Sequence, residues 1–282
     1  MKPNYQITPC AEGVLLSALR DFSLPQILDC GQCFRWQPTD EGENCWRGIA
    51  MGRCLSIEKT GEEQFLFRCS EEEFRRLWLP YFDLELDYSA IKAALQDDPI
   101  MAEATAYAPG IRVLRQDGWE TLCTFIISQN NNIKRIRGIV ERLCETFGQP
   151  IEGGYDFPSP QRLAQASLED LAPLRAGFRA KYLLDAAQKV VSGQVRLEAI
   201  PSMSYEEASD HLQQICGVGP KVADCALLFG FYKLDAFPMD VWMKRAMATL
   251  YPHGLPEALL PYRGIAQQYL FHYARRNPQL FD

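Results

Sequence analysis

Three histidines, at positions 211, 253 and 272, are all that the 282 residues contain. With imidazole so scarce, a metal site would have to rest on cysteine. Cys30 and Cys33 form a CxxC, but no second CxxC or Cys/His pair answers it, so no structural metal is expected. No apolar run approaches 18 residues without charge or strong interruption, and no membrane association is expected. The stretch "MKPNYQITPCAEG" lacks an apolar core after its basic residue, so no secretory leader is expected either. The ten cysteines are therefore read as free thiols in a reducing compartment. Basic excess is missing too: 29 Lys+Arg stand against 36 Asp+Glu, which argues mildly against a nucleic-acid partner. Neither an internal repeat nor a low-complexity segment is present, which excludes a repeat array.

Net charge averages over a whole surface, and the charges here are sorted. Basic residues gather in "NNNIKRIRGIVERL", "PLRAGFRAKY", "WMKRA" and "HYARR", acidic ones in "EKTGEEQ", "CSEEEFRR" and "DLELDYS". A locally basic face is compatible with that pattern. The chain is 47% hydrophobic, enough for a substantial core and two packed domains. "EGVLLSALRDFSL" has helix-like spacing. "CFRWQP", "CWRGIAMG", "RCLSIEKTG" and "EQFLFRCS" are short aromatic or β-branched runs between turn formers, as in an antiparallel sheet with one covered face. Ser70 with Glu73 predicts a capped helix after the strands.

From about residue 88 helices follow one another. "YSAIKAALQDD" ends before Pro99, and Asp117 with Glu120 caps "GWETLCTFIISQ". "NIKRIRGIVERLCETFG" stops at Gly148, Ser159-Pro160 opens another helix, and Ser204 with Glu207 opens "YEEASDHLQQICG". The expected architecture is α+β: an N-terminal antiparallel sheet domain with helices over 1–87 and a helical domain over 88–282.

"LQQICGVGPKVADCALL" reads as a helix end, a Gly-Val-Gly turn and a second helix. Gly217 and Gly219 allow a tight turn that exposes amides, and Pro220 suits the first helical position. Amides at such a helix start can hold a phosphate, and a helix-hairpin-helix of this kind grips DNA by its backbone without reading sequence. The local pattern leaves Lys221 open between phosphate contact and chemistry. Asp240, after Pro238 and ahead of a helix, reads as an N-cap, a role compatible with others.

Five stretches in order, "CGQCFRW" (30–36), "SQNNNIKRI" (128–136), "GFRAKY" (177–182), "YEEASDHLQQICGVGPKVADC" (205–225) and "FPMDVWM" (237–243), resemble the 8-oxoguanine DNA glycosylase/lyases of the helix-hairpin-helix DNA glycosylase superfamily. The resemblance implies a TATA-box-binding-protein-like antiparallel sheet domain packed on a mainly helical glycosylase domain. It also implies Lys221 as nucleophile on C1′ of the damaged nucleotide, with Schiff-base formation and β-elimination, and Asp240 as stabiliser of the cationic sugar. For the lesion pocket it implies Gly31 as acceptor of the N7–H that 8-oxoguanine has and guanine lacks, Cys225 and Phe271 as the walls of a base sandwich, and Gln267 at the Watson–Crick edge. On the DNA side it implies Asn130 in the gap left by the flipped base, Arg135 and Arg179 reading the orphaned cytosine, Phe178 as aromatic wedge, and Gly217 and Gly219 in the hairpin. Trp242 departs from the family, standing where relatives carry a phosphate-contacting histidine, and Phe178 replaces the usual tyrosine.

No Cys follows 225, so the cluster of the iron–sulfur branch is not expected, and no cofactor is. The expected partner is double-stranded DNA containing a damaged base, with no obligate protein partner, since a monomer suffices for one flipped base. The setting is the cytoplasm of a prokaryote or the nucleus of a eukaryote. Two other readings stay open: a monofunctional glycosylase for an alkylated purine, which would not need Lys221, and a non-catalytic DNA-binding module, which would not need Gly31, Gln267 and Phe271 as well.

Overall fold

A computed structural model describes residues 5–39 and 42–281, so Lys2 of the N-terminal stretch lies outside the described residues. Six strands, β1 (Gln6–Cys10), β2 (Gly13–Ser17), β3 (Trp36–Thr39), β4 (Gly42–Ala50), β5 (Arg53–Gly61) and β6 (Gln64–Phe67), form one antiparallel sheet in the order β1-β2-β6-β5-β4-β3. Alternation sets its buried face: Val14 and Leu16 from β2, Leu55 and Ile57 from β5, and Phe65 and Phe67 from β6 meet Trp36, Phe74, Trp78 and Phe82. The helix-like spacing of "EGVLLSALRDFSL" is overturned at its start. Val14 and Leu16 point the same way from a strand paired on both edges, and left-handed Ala18 and Asp21 break the chain before the short Leu24–Leu28 helix. Two apolar residues two apart satisfy a strand as readily as a helix, and the neighbouring edges decided between them.

Beyond the sheet the capping signals act where the sequence places them. Ser70, Asp117, Ser159 and Ser204 each accept the amide three residues on. Only Ser204 completes the reciprocal box, because Glu73 turns away to accept from the Trp78 indole at 2.9 Å. The Gly118–Ser128 helix carries no mere apolar stripe. It is buried nearly all round, packed against the Pro220–Gly230 helix, and makes the centre of the helical core.

The segment after the sheet ties the two cores together. Arg112, fully buried, donates to the carbonyls of Asp21 and Asp83 at 2.8 Å each and lies over the Tyr88 ring. Asp83 accepts from Arg115 and from the hydroxyls of Tyr88 and Tyr232. Such a buried network locks the Asp21 and Asp83 turns, the 111–117 segment and the end of the Pro220–Gly230 helix into one geometry.

Candidate active site

The hairpin runs from the Tyr205–Gln213 helix through Gly217-Val218-Gly219 to the Pro220–Gly230 helix. Its two glycines are unequal. Gly217 has φ +79°, and a Cβ there would collide with the Tyr182 ring, whereas Gly219 is extended with open space around it. Gly217→Ala is therefore expected to destabilise the protein by about 1–3 kcal/mol, while Gly219→Ala leaves thermal unfolding nearly unchanged. Equal shifts of Tm for the two would refute that difference.

Pro220 occupies the first helical turn, and Lys221 follows with its side chain turned inward. Its Nζ lies 3.5 Å from the Ser128 hydroxyl and 5.2 Å from the centre of the Phe125 ring. Asp240 caps the Val241–Leu250 helix, its carboxylate accepting the Met243 amide at 2.8 Å. Both residues border a cavity of about 340 Å³, closed on other sides by Gly31, Phe34, Cys225, Gln267 and Phe271. Trp242 is also in its lining, with the Arg245 guanidinium 5.5 Å from the centre of the indole.

Burial pushes the Cys225 thiol up to about 11, against the opposing pull of Lys221, so it presents a neutral polarizable wall. Phe125 stacks on Phe229 at 5.6 Å and meets Phe34 edge to face, giving the cavity an aromatic floor. Gln267, 3% exposed, donates through Nε2 to the Pro238 carbonyl at 3.1 Å. That bond orients the amide and leaves its buried Oε1 without a partner. A buried acceptor left open costs on the order of 1–3 kcal/mol, a penalty that a ligand donor would relieve.

Gly31 has φ +91°, in the region that favours glycine, and a Cβ there would project towards Phe271 and Arg275. Its loop is clamped from three directions by residues that the sequence reading missed. Gln32 donates to the Arg112 carbonyl at 2.8 Å and accepts from the Leu114 amide at 2.9 Å. Gln116 donates to the Gln32 carbonyl at 2.7 Å, and the buried Gln268 amide reaches the Cys30 sulfur at 3.0 Å. Individually these glutamines look like surface residues. Gln32 and Gln268 carried a signal, since each directly follows a singled-out residue, Gly31 and Gln267, whereas Gln116 carried none.

The remaining predicted residues lie outside the cavity lining. Asn130 is exposed with φ +46°, at the turn ahead of the Ile133–Phe147 helix. Arg179, only 2% exposed, sends its guanidinium to the carbonyls of Gln129, Asn130 and Ala176, and so anchors that turn. Phe178, 46% exposed, packs edge to face on Tyr182 and under Arg179. Arg135 is exposed on the first turn of its helix. Asn130, Arg135 and Phe178 thus form an exposed rim, with Arg179 as its internal brace.

Residues 14–122 match the profile of the 8-oxoguanine DNA glycosylase N-terminal domain, and residues 123–257 that of the HhH-GPD superfamily base excision DNA repair proteins. The crystal structure of the Clostridium acetobutylicum 8-oxoguanine glycosylase/lyase, in complex with double-stranded DNA containing cytosine opposite 8-oxoguanine, superposes with a TM-score of 0.89. It is 38% identical and covers 97% of this chain and 98% of its own. The N-glycosylase/DNA lyase of Saccharomyces cerevisiae is 31% identical over 80% of this chain and 67% of its own length. The probable N-glycosylase/DNA lyase of Methanothermobacter thermautotrophicus is 33% identical over 70% and 73%.

Proposed function

The chain belongs to the 8-oxoguanine DNA glycosylase/lyase family of the HhH-GPD superfamily, and we propose that its cavity receives a flipped 8-oxoguanine for attack by Lys221. It is a bifunctional DNA glycosylase and AP lyase acting on double-stranded DNA that contains a damaged base. The observation that carries the site assignment is the meeting of Lys221 and Asp240 in one cavity with Gly31 and the open acceptor of Gln267.

In that reading the Lys221 amine forms a bond to C1′ as the bond from C1′ to the base nitrogen breaks, and the base departs with a proton. Opening of the sugar then gives a Schiff base, whose adjacent C2′ proton is acidic enough for loss of the 3′ phosphate by β-elimination. Water in place of lysine would release the base without nicking, which is why Lys221 favours this chemistry over a monofunctional alkylpurine glycosylase. Asp240 places negative charge where the sugar becomes cationic. Gly31 accepts from N7–H, Gln267 accepts through Oε1 from the Watson–Crick edge, and Cys225 and Phe271 flank the ring.

The rim has its own role. Asn130 fills the gap in the duplex, Phe178 wedges beside it, the hairpin amides around Gly217 and Gly219 hold phosphate, and Trp242 lies at the strand bearing the lesion. Arg135 and Arg179 address the orphaned cytosine, Arg179 by exchanging part of its grip on the Gln129–Asn130 turn.

Borohydride trapping on duplexes carrying 8-oxoguanine opposite each of the four bases tests the reading. A covalent adduct is expected, formed fastest opposite cytosine, since a base-edge arginine contact contributes about 1–3 kcal/mol of discrimination. Equal rates across the four opposite bases would refute the arginines as cytosine readers, and absence of any adduct would refute the lysine mechanism.

A further inference from the structure

The helix Arg263–Arg276 contributes more to the cavity than Gln267 and Phe271. One turn beyond Phe271 on the same face is Arg275, also in the lining. A Cβ built on Gly31 would lie 3.6 Å from its Nη1 and 3.7 Å from the Phe271 ring, so the guanidinium stands beside the Gly31 backbone at the mouth of the base slot. Its neighbour Arg276 faces Asp29 at 3.8 Å, but Arg275 pairs with no carboxylate among the described residues. The acid nearest in function, Asp240, is engaged at its helix start. The cavity thus holds a cationic donor fork that forms no ion pair among the described residues.

We propose that Arg275 donates to O8 of the flipped base, the oxygen that guanine lacks, making it a specificity-determining residue for lesion recognition. This rests on the function proposed above. On that edge 8-oxoguanine presents an acceptor, a donor and an acceptor in sequence: O6, N7–H and O8. The Gly31 carbonyl complements the central donor, and the guanidinium adjacent to Gly31 complements O8, the flanking oxygen that distinguishes the lesion from guanine. An N7–H donor alone is a small handle for distinguishing the lesion from guanine, and a second, charged contact on the same edge enlarges it. Arg275 lies where the Gly31 loop meets the C-terminal helix, at the join that the Gln268–Cys30 contact holds closed. Its reach to the base therefore depends on the same clamp that positions Gly31.

The test separates contact with the base from contact with the backbone. Single-turnover base release from an 8-oxoguanine:cytosine duplex is compared with strand nicking at a preformed abasic site, which has no base to contact. For Arg275→Leu, base release is expected to fall about tenfold or more, while abasic-site nicking stays within about twofold of the parent protein. Arg275→Lys, which keeps the charge but loses the fork, is expected to fall between the two. Equal losses on both substrates would mean a phosphate or folding role, and undiminished base release would mean no contact at all; either result overturns the proposal. Failure of the parent protein itself on both substrates would instead strike at the function on which the proposal rests.

Discussion

Lys221→Gln is expected to lose the borohydride-trapped adduct completely and to slow base release on the order of 10⁴-fold, while unfolding at the same temperature as the parent protein. The two halves of that expectation come from separate observations. Lys221 makes a long contact, 3.5 Å to the Ser128 hydroxyl, lies beside the Cys225 thiol, and otherwise faces the Phe125 ring and the cavity. Glutamine, one atom shorter, keeps a polar side chain and loses the nucleophile, so little structural free energy is at stake. If Lys221 only touched phosphate, the same substitution would weaken DNA binding by a modest factor, and adduct would still form at saturating protein. An adduct undiminished in Lys221→Gln would therefore sink the mechanism, whatever the effect on affinity.

Asp240 caps a helix and, in the proposed mechanism, stabilises the cationic sugar, two purposes that substitution can separate. Asparagine caps a helix about as well as aspartate, so Asp240→Asn should preserve the bond to the Met243 amide and the stability of the Val241–Leu250 helix. It removes the negative charge, however, and base release should fall roughly 10²–10³-fold, the usual cost of losing one aligned electrostatic stabiliser of a transition state. Asp240→Ala should lose that rate and, in addition, about 1 kcal/mol of stability with the cap. Thermal unfolding and single-turnover rates on the two variants resolve the roles. Were Asp240→Asn to release base at the parental rate, the carboxylate would be a cap and nothing more.

Much of the site was legible because its signals are local. The hairpin is written in consecutive residues, with Gly217 for the left-handed turn, Pro220 for the first turn of the helix and Lys221 immediately after. Asp240 was legible as a cap for the same reason: an acid, then a helix. Gln267 and Phe271 share a helix face by their spacing. The start of β2 was misread because Val14 and Leu16 carry no local feature that rejects a helix. Arg179 illustrates a different limit. Its sequence position is compatible equally with reaching outward to a base and with reaching inward to three carbonyls, and the structure has it reaching inward.

By itself the sequence determined the order of sheet and helices, the caps and the hairpin, while its local pattern left Lys221 open between phosphate contact and chemistry and Asp240 legible only as a cap. These are properties of neighbouring residues, whose backbone preferences and hydrogen bonds close within a few positions. Tertiary structure alone decided that Lys221, Asp240, Gly31, Gln267 and Arg275 share a cavity. It likewise decided that glutamines 32, 116 and 268 hold the Gly31 loop against the extended 111–117 segment and the Arg263–Arg276 helix, and that the Oε1 of Gln267 is left open. The reason is that burial, not residue type, gives those groups their meaning. A glutamine or arginine in water is one solvated side chain among many, whereas enclosed beside an aromatic floor each must find a partner or wait for one.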